Sequence, residues 1–186
     1  MKIASTSKHH PLHTKRRDTK IPLGAQRFLA AFEGIEGGFA IGSSIIVALM
    51  FADLSRELLL LTVVVSIVVN GFNTASVKYS SEHYLDQLDG AEKRSPFKHY
   101  FIPAFIEFVS YFAISFISVI PLIVLSDLTH AVIWSVLITL IILFVAGYTR
   151  GYMLRMNAWR DALETLILGS GIILVGLISG FIIHFL

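Results

Sequence analysis

The chain contains 186 residues, of which 55% are hydrophobic and 15% are charged, and its net charge is +2; its mean hydropathy is +0.73. Soluble domains carry about 25% charged residues, so the composition excludes an ordinary water-soluble domain and favours apolar segments solvated by lipid. The absence of cysteine excludes disulfide bonds, thiolate metal sites and cysteine nucleophiles.

The chain begins with a polar, basic segment, residues 1–27, which we predict to be a flexible cytoplasmic tail. Its first 20 residues have no apolar core and therefore do not resemble a cleavable signal peptide. Five apolar segments follow, each near the length of about 20 residues that a helix needs to cross a bilayer. The predicted spans are residues 28–51, 58–77, 100–125, 131–148 and 162–186.

The second and third predicted spans are separated by a mixed-charge segment, residues 78–99, which we expect to be a cytoplasmic loop. The apolar segments lack the alternating pattern of barrel strands and are too long for them. We therefore predict an all-α, polytopic membrane protein, in which residues 28–186 form one five-helix transmembrane domain.

The distribution of basic residues predicts the orientation of the bundle. Fourteen of the fifteen lysines and arginines fall in the tail, in the loop after the second span or in the loop after the fourth span, and only Arg56 falls elsewhere. Because cytoplasmic segments carry the excess of lysine and arginine, the N-terminus is predicted to be cytoplasmic and the C-terminus to face the other side.

Four carboxylates fall inside or just within the predicted spans: Glu33, Glu36, Glu107 and Glu164. An ionised side chain in the bilayer costs about 3 kcal/mol on insertion scales, so a carboxylate retained there indicates a function. All four are expected in the cytoplasmic half. Two structural alternatives remain open, namely that Glu164 is an interfacial partner of Arg160, and that Glu33 or Glu36 pairs with Lys78 to join two helices.

The cytoplasmic half of the second span carries a polar stripe. Its members are Asn70, Asn73, Thr74 and Lys78, at helical spacing. Glu33 and Glu36, three residues apart, are expected to share a face of the first span at a similar depth. Two such faces on adjacent antiparallel helices predict a hydrophilic path through the bundle.

Small residues recur at four-residue intervals on two spans. Gly34, Gly38 and Gly42 lie on the first span, and Gly176 and Gly180 repeat the spacing on the fifth. Small residues at this spacing allow helix backbones to approach closely. The pattern predicts tight packing of the first span, either within the chain or across a dimer axis.

Four segments carry motifs of a known protein family. Residues 33–41 read EGIEGGFAI, residues 70–81 read NGFNTASVKYSS, residues 116–122 read FISVIPL and residues 164–169 read ETLILG. In this order they resemble the first, second, third and fifth helices of the vacuolar iron transporter family of proton-coupled divalent cation exporters. The resemblance covers residues 25–186 and implies a homodimer whose first helices line a pathway for ferrous or manganous ions leaving the cytosol.

The same resemblance identifies candidate site residues and departures from the family pattern. Glu33 matches the pathway aspartate of the first helix, whereas Thr74 replaces a metal-binding methionine, Asn70 an acidic residue and Lys78 a frequent glutamate. Loss of a thioether and gain of an ammonium are expected to weaken a site for a borderline-soft metal.

Two other groups of polar residues invite a metal-binding interpretation. If the second helix continues past the membrane, Glu82, Asp86 and Asp89 would share a face and could capture cations in the cytoplasm, although such runs are usually solvated surfaces. The tail contains three further candidates, whose side chains alone are a weak metal signature. They are His9, His10 and His13.

The sequence therefore predicts proton-coupled export of divalent cations resembling Fe²⁺ or Mn²⁺. Glu33 and Glu36 would replace part of the hydration shell, Asn73 and Thr74 would add neutral oxygens, and protons would compete for the buried carboxylates. The alternatives are a non-transporting membrane scaffold and a transporter of a monovalent cation.

The remaining expectations concern chemistry and location. An enzyme is not expected, because Ser170 lacks the G-x-S-x-G pattern and His184 lies about 21 Å along the same helix. No tightly bound cofactor and no nucleic-acid partner are expected, only the lipid bilayer, a second copy of the chain and the transported metal. The membrane would be the cell membrane in a prokaryote and a vacuolar-type membrane in a eukaryote.

Overall fold

The computed structural model describes residues 25–52, 54–90 and 95–185, and every regular element in these ranges is helical. A π-helical turn, Phe97–Phe101, precedes the third long helix. The long helices are α1 (Ala25–Leu49), α2 (Arg56–Leu88), α3 (Ile102–Val124), α4 (Leu128–Met153) and α5 (Ala158–His184). All five are long and apolar enough to cross a membrane, which confirms the predicted all-α architecture. The predicted orientation of the termini stays a prediction.

Several sequence-based expectations concern residues outside the described ranges. They are the tail up to residue 24 with His9, His10 and His13, the basic pair Lys93 and Arg94, and the last residue of the fifth predicted span.

The helices run further than the apolar segments suggest. The second continues beyond residue 77 to Leu88, the fourth reaches Met153, and the fifth starts at Ala158. Side-chain caps define several starts, because Ser55, Asp127 and Asn157 each accept a backbone N–H of the first turn. Lys78, Arg150 and Asp161 therefore lie within helices.

The five helices form a bundle around α1. Short connections make successive helices reverse direction, so α1, α3 and α5 begin at one end, here called the N-terminal end of the bundle, where α2 and α4 finish. The first helix contacts all four others, most extensively α3 and least extensively α2. Large apolar side chains such as Phe72 and Ile167 point outward and are exposed, as expected for helices that face lipid.

Glycines allow α1 to lie close to its neighbours. Gly34, Gly38 and Gly42 face α3, and a Cβ on Gly38 would lie 2.6 Å from the carbonyl oxygen of Tyr111. On α5, Gly176 contacts Ser44 of α1 in the same way. Helix α3 of the same chain packs against the α1 glycines, which agrees with the alternative of tight packing within the chain, and the dimer axis stays a prediction.

Among the described residues, Arg56 is the one lysine or arginine at the end of the bundle opposite the N-terminal end, and it binds backbone groups of α3. Arg56 donates through Nη2 to the carbonyl oxygens of Leu122 and, at 2.5 Å, of Leu125. Those carbonyls belong to the end of α3, where the helix itself supplies no donor. Arg56 therefore ties the start of α2 to the end of α3.

We expect Arg56→Met to lower the free energy of unfolding by about 0.5–1.5 kcal/mol, because Arg56 is exposed and solvent weakens its charged hydrogen bonds. Thermal unfolding of the purified protein in detergent measures this change. An unaltered melting temperature would contradict the assigned role of Arg56.

Candidate functional site

An open crevice lies between α1, α2 and α3 towards the N-terminal end of the bundle. Its volume is about 440 Å³. Five of the residues singled out from the sequence line it, together with Val77 and Ser81. These five are Glu33, Asn73, Thr74, Lys78 and Glu107. Residues far apart in the chain are brought together because α1 and α3 start, and α2 finishes, at the same end.

The ammonium group of Lys78 lies among carboxylates. It contacts Glu33 of α1 directly, lies 3.2 Å from Oε1 of Glu82 one turn along α2, and lies 3.8 Å from Oε2 of Glu107 on α3. Only 12% of the Lys78 side chain is exposed, whereas Glu33 is 48% exposed. The sequence-based alternative that a glutamate of α1 pairs with Lys78 thus describes Glu33 and not Glu36.

Glu107 is the most deeply buried member of this group, with 3% of its surface exposed. Its Oε2 atom has no hydrogen-bond partner among the described residues, since 3.8 Å to the Lys78 nitrogen is too long for a hydrogen bond. Buried polar atoms nearly always have a hydrogen-bond partner, so this carboxylate oxygen, held only by the longer ion-pair contact with Lys78, is an exception among buried groups.

Tyr111 lies one helical turn beyond Glu107 and fills the space between α1 and α2. Its ring is 3.5 Å from where a Cβ on Gly37 would lie and 2.8 Å from the equivalent point on Gly71. The residue is completely buried, and its hydroxyl has no hydrogen-bond partner in the described part of the chain. The three helices therefore close around this ring at the inner end of the crevice.

Glu36 points to the other side of α1, into an ion-pair network with α4 and α5. Arg150 donates to Glu36 Oε1 at 2.5 Å and makes two bonds to Asp161, 2.9 Å from Nε and 2.7 Å from Nη2. It also donates to Thr165 at 3.3 Å. The expectation that Glu33 and Glu36 act on one face is therefore wrong, because the two carboxylates engage different helices.

The remaining sequence candidates lie outside the crevice. Glu164 is exposed and pairs with Arg160 at 3.0 Å, which agrees with the alternative that Glu164 is a partner of Arg160 rather than part of the pathway. The side chain of Asn70 is half-buried on α2 and does not line the crevice.

The three acidic residues expected to capture cations do not gather in one place. Glu82 binds Lys78 and Gln26, Asp86 accepts the hydroxyl of Tyr100 at 2.8 Å, and Asp89 is exposed at the end of α2. Across the described ranges, no three His, Asp or Glu side chains are arranged to hold a metal ion.

Sequence reasoning missed Arg150 and Asp161 as partners of Glu36. They fall between the predicted fourth and fifth spans, where the sequence predicts a loop. The available signal is Asn157, a strong N-cap residue, since no helix-breaking proline lies between Tyr148 and this cap. A helix end near Asn157 would have placed both residues inside helices.

Comparison with known protein families shows the family to which this chain belongs. The model of the VIT family matches residues 73–180, which is more than half of the chain and includes α3, α4, most of α5 and the half of α2 that lines the crevice. No curated protein sequence matches significantly. The family is one of membrane transporters, and membership indicates membrane metal-ion transport. This multi-pass integral membrane protein therefore belongs to the VIT family.

Proposed function

We propose that this protein exports divalent cations of the Mn²⁺ or Fe²⁺ type from the cytosol in exchange for protons, through the crevice between α1, α2 and α3. The observation that carries the proposal is the buried Oε2 of Glu107, which has no hydrogen-bond partner among the described residues and lies in the same crevice as Glu33. Carboxylates from two different helices thus converge on a space open to the bundle surface.

The charge of the site favours a divalent cargo. Lys78 contributes one positive charge, against three carboxylates from Glu33, Glu82 and Glu107. When all three carboxyl groups are ionised, one divalent cation or two protons neutralise the excess of two negative charges. Metal and protons then compete for the same oxygens, which is the basis of exchange.

The ligand set is made of oxygen atoms. Glu33 and Glu107 supply carboxylates, while Asn73 and Thr74 supply neutral oxygens in the same crevice. Glu36 is held by Arg150, so Glu107 takes the place that the sequence assigned to Glu36. Oxygen donors suit Mn²⁺ better than soft sulfur-loving metals, which makes Mn²⁺ the preferred probe.

The exposed side of the crevice supports a homodimer. Glu33 and Asn73 are exposed in one copy of the chain, and charged groups within a membrane normally face protein or water rather than lipid. A second copy that covers the opening would shield them and leave a wet path between subunits. Cations would enter at the N-terminal end, which the distribution of basic residues predicts to be cytoplasmic.

The proposal is tested by Mn²⁺ uptake into liposomes with an acidic lumen and an entrapped metal-sensitive dye. We expect uptake to require the pH gradient, and the double variant Glu33→Gln, Glu107→Gln to slow it by at least about tenfold, because each lost carboxylate removes more than about 1.4 kcal/mol of ion binding.

Glu164→Gln is the matched control and should transport normally, because that carboxylate is exposed and pairs with Arg160 away from the crevice. Mn²⁺ uptake at the same rate without the pH gradient would refute proton exchange. Uptake that survives the double variant would refute the assigned site. No Mn²⁺ uptake, with or without accompanying monovalent flux, would favour the scaffold or monovalent-cation alternatives.

A further inference from the structure

We infer that the ammonium group of Lys78 is a tethered counter-ion that occupies the cation position of the crevice and must move aside before a divalent metal binds. The inference rests on the proposed function and concerns how the same site controls its affinity. It assigns Lys78 a role as a competitor of the cargo rather than as a ligand or a purely structural residue.

The first argument is position. The Lys78 nitrogen lies between carboxylates of α1, α2 and α3 and is 12% exposed as a side chain, yet the same side chain lines the open crevice. A cation that reaches Glu33 and Glu107 together has to enter the space that this ammonium fills. In the described ranges the acidic side chains are not arranged as a metal site, as expected when they are arranged around an ammonium.

The second argument is incomplete compensation. The ammonium contacts Glu33 and Glu82, but it leaves Oε2 of Glu107 at 3.8 Å and without a hydrogen bond. A divalent ion carries twice the charge and attracts several oxygens at about 2.0–2.6 Å. Such an ion would satisfy the buried oxygen that the lysine does not.

The third argument is the flexibility of the Lys78 side chain. Lysine carries a compact charge on a flexible four-carbon stem with three rotatable donors, and the adjacent crevice of about 440 Å³ has room for that stem. Displacement moves the ammonium within the crevice without any change in the backbone of α2. Glu82 lies one turn further along α2 and can keep the displaced ammonium.

A purely structural Lys78 makes the opposite prediction. If the residue only joins α1 to α2, its removal loosens the carboxylates and weakens metal binding. If it competes with the metal, its removal strengthens binding. The sign of the change in affinity therefore separates the two roles.

The experiment measures Mn²⁺ binding to the purified full-length protein by titration calorimetry, for the wild type, Lys78→Met and Lys98→Met. We expect Lys78→Met to lower the Kd by at least about tenfold. Lys98→Met makes the same chemical change at an exposed residue before α3 and should bind as the wild type does. An equal or higher Kd for folded Lys78→Met, or no Mn²⁺ binding by any of the three proteins, overturns the inference.

A second measurement uses the wild-type protein in case Lys78→Met does not fold. Amine acylation followed by mass spectrometry reports the accessibility of Lys78, with Lys98 as the internal reference. We expect saturating Mn²⁺ to raise labelling of Lys78 relative to Lys98, because the metal displaces the ammonium from its carboxylates. Unchanged or reduced labelling overturns the inference.

The experiments can refute the transport function and the counter-ion role of Lys78 independently. Gradient-driven Mn²⁺ uptake by the wild type, with no gain of affinity in Lys78→Met, leaves the transport function standing and removes the tethered counter-ion. Tighter Mn²⁺ binding by Lys78→Met, with no uptake by any variant, supports the counter-ion and removes transport.

Discussion

Arg150→Met is expected to lower the free energy of unfolding by about 3–5 kcal/mol, the cost of leaving buried charges without their partner. Arg150 is the shared cation of Glu36 and Asp161, and Asp161 is 5% exposed. Without the guanidinium, two carboxylates between α1, α4 and α5 face each other uncompensated. Thermal unfolding and size-exclusion chromatography in detergent measure the loss of the folded protein.

Arg160→Met is the matched control, because it also removes an arginine that binds a carboxylate. Its side chain is 78% exposed, and exposed ion pairs contribute at most about 1 kcal/mol. The triple variant Glu36→Gln, Arg150→Met, Asp161→Asn should recover much of the stability, since it removes the charges together. A loss in Arg150→Met no larger than that in Arg160→Met would contradict the burial of this network.

The two charged clusters divide the bundle into parts with different roles. Arg150 fixes α1 to α4 and α5 with multiple direct bonds, whereas Lys78 connects α1 to α2 across an open crevice with a longer contact to Glu107. The contact of α1 with α2 is also the least extensive that α1 makes. Movement that loads or releases a cation is therefore expected on the α2 side of α1.

The helical architecture could be predicted from the sequence because its cause is local. A run of about 20 apolar residues crosses the bilayer as a helix whatever surrounds it. The ends of the helices are harder to place, since Arg150 and Asp161 are charged and lie beyond the apolar segments that predict the spans. Their burial depends on partners on other helices, which hydropathy does not describe.

The crevice could be predicted only in part. The depth of a residue in the membrane follows from the direction of its helix and the rise per residue. We could therefore expect similar depths for Glu33, Asn73, Lys78 and Glu107. The neighbouring helices that Glu33 and Glu36 contact could not be predicted, because α1 contacts all four other helices. A helix surrounded by protein has no lipid-facing stripe to orient it, and side chains three residues apart can then meet different neighbours.

Close packing of α1 against α3 determines where Glu107 lies. A Cβ on Gly34 would overlap the carbonyl oxygen of Glu107 and lie 2.9 Å from Cβ of Ser110. Both are parts of α3 that cannot rotate away, unlike the end of a flexible side chain. The position of Glu107 in the crevice therefore depends on the absence of a side chain at residue 34.

Gly34→Ala is accordingly expected to lower the free energy of unfolding by about 1–3 kcal/mol through overpacking and to slow Mn²⁺ uptake by displacing Glu107. Gly171→Ala on α5 is the matched control: nothing lies within 4 Å of its Cβ position, and alanine favours a helix over glycine by about 1 kcal/mol. That control should be as stable as the wild type or more stable, with unchanged uptake. Equal melting temperatures and uptake rates for the two alanine variants would show that the contact between α1 and α3 does not position the site.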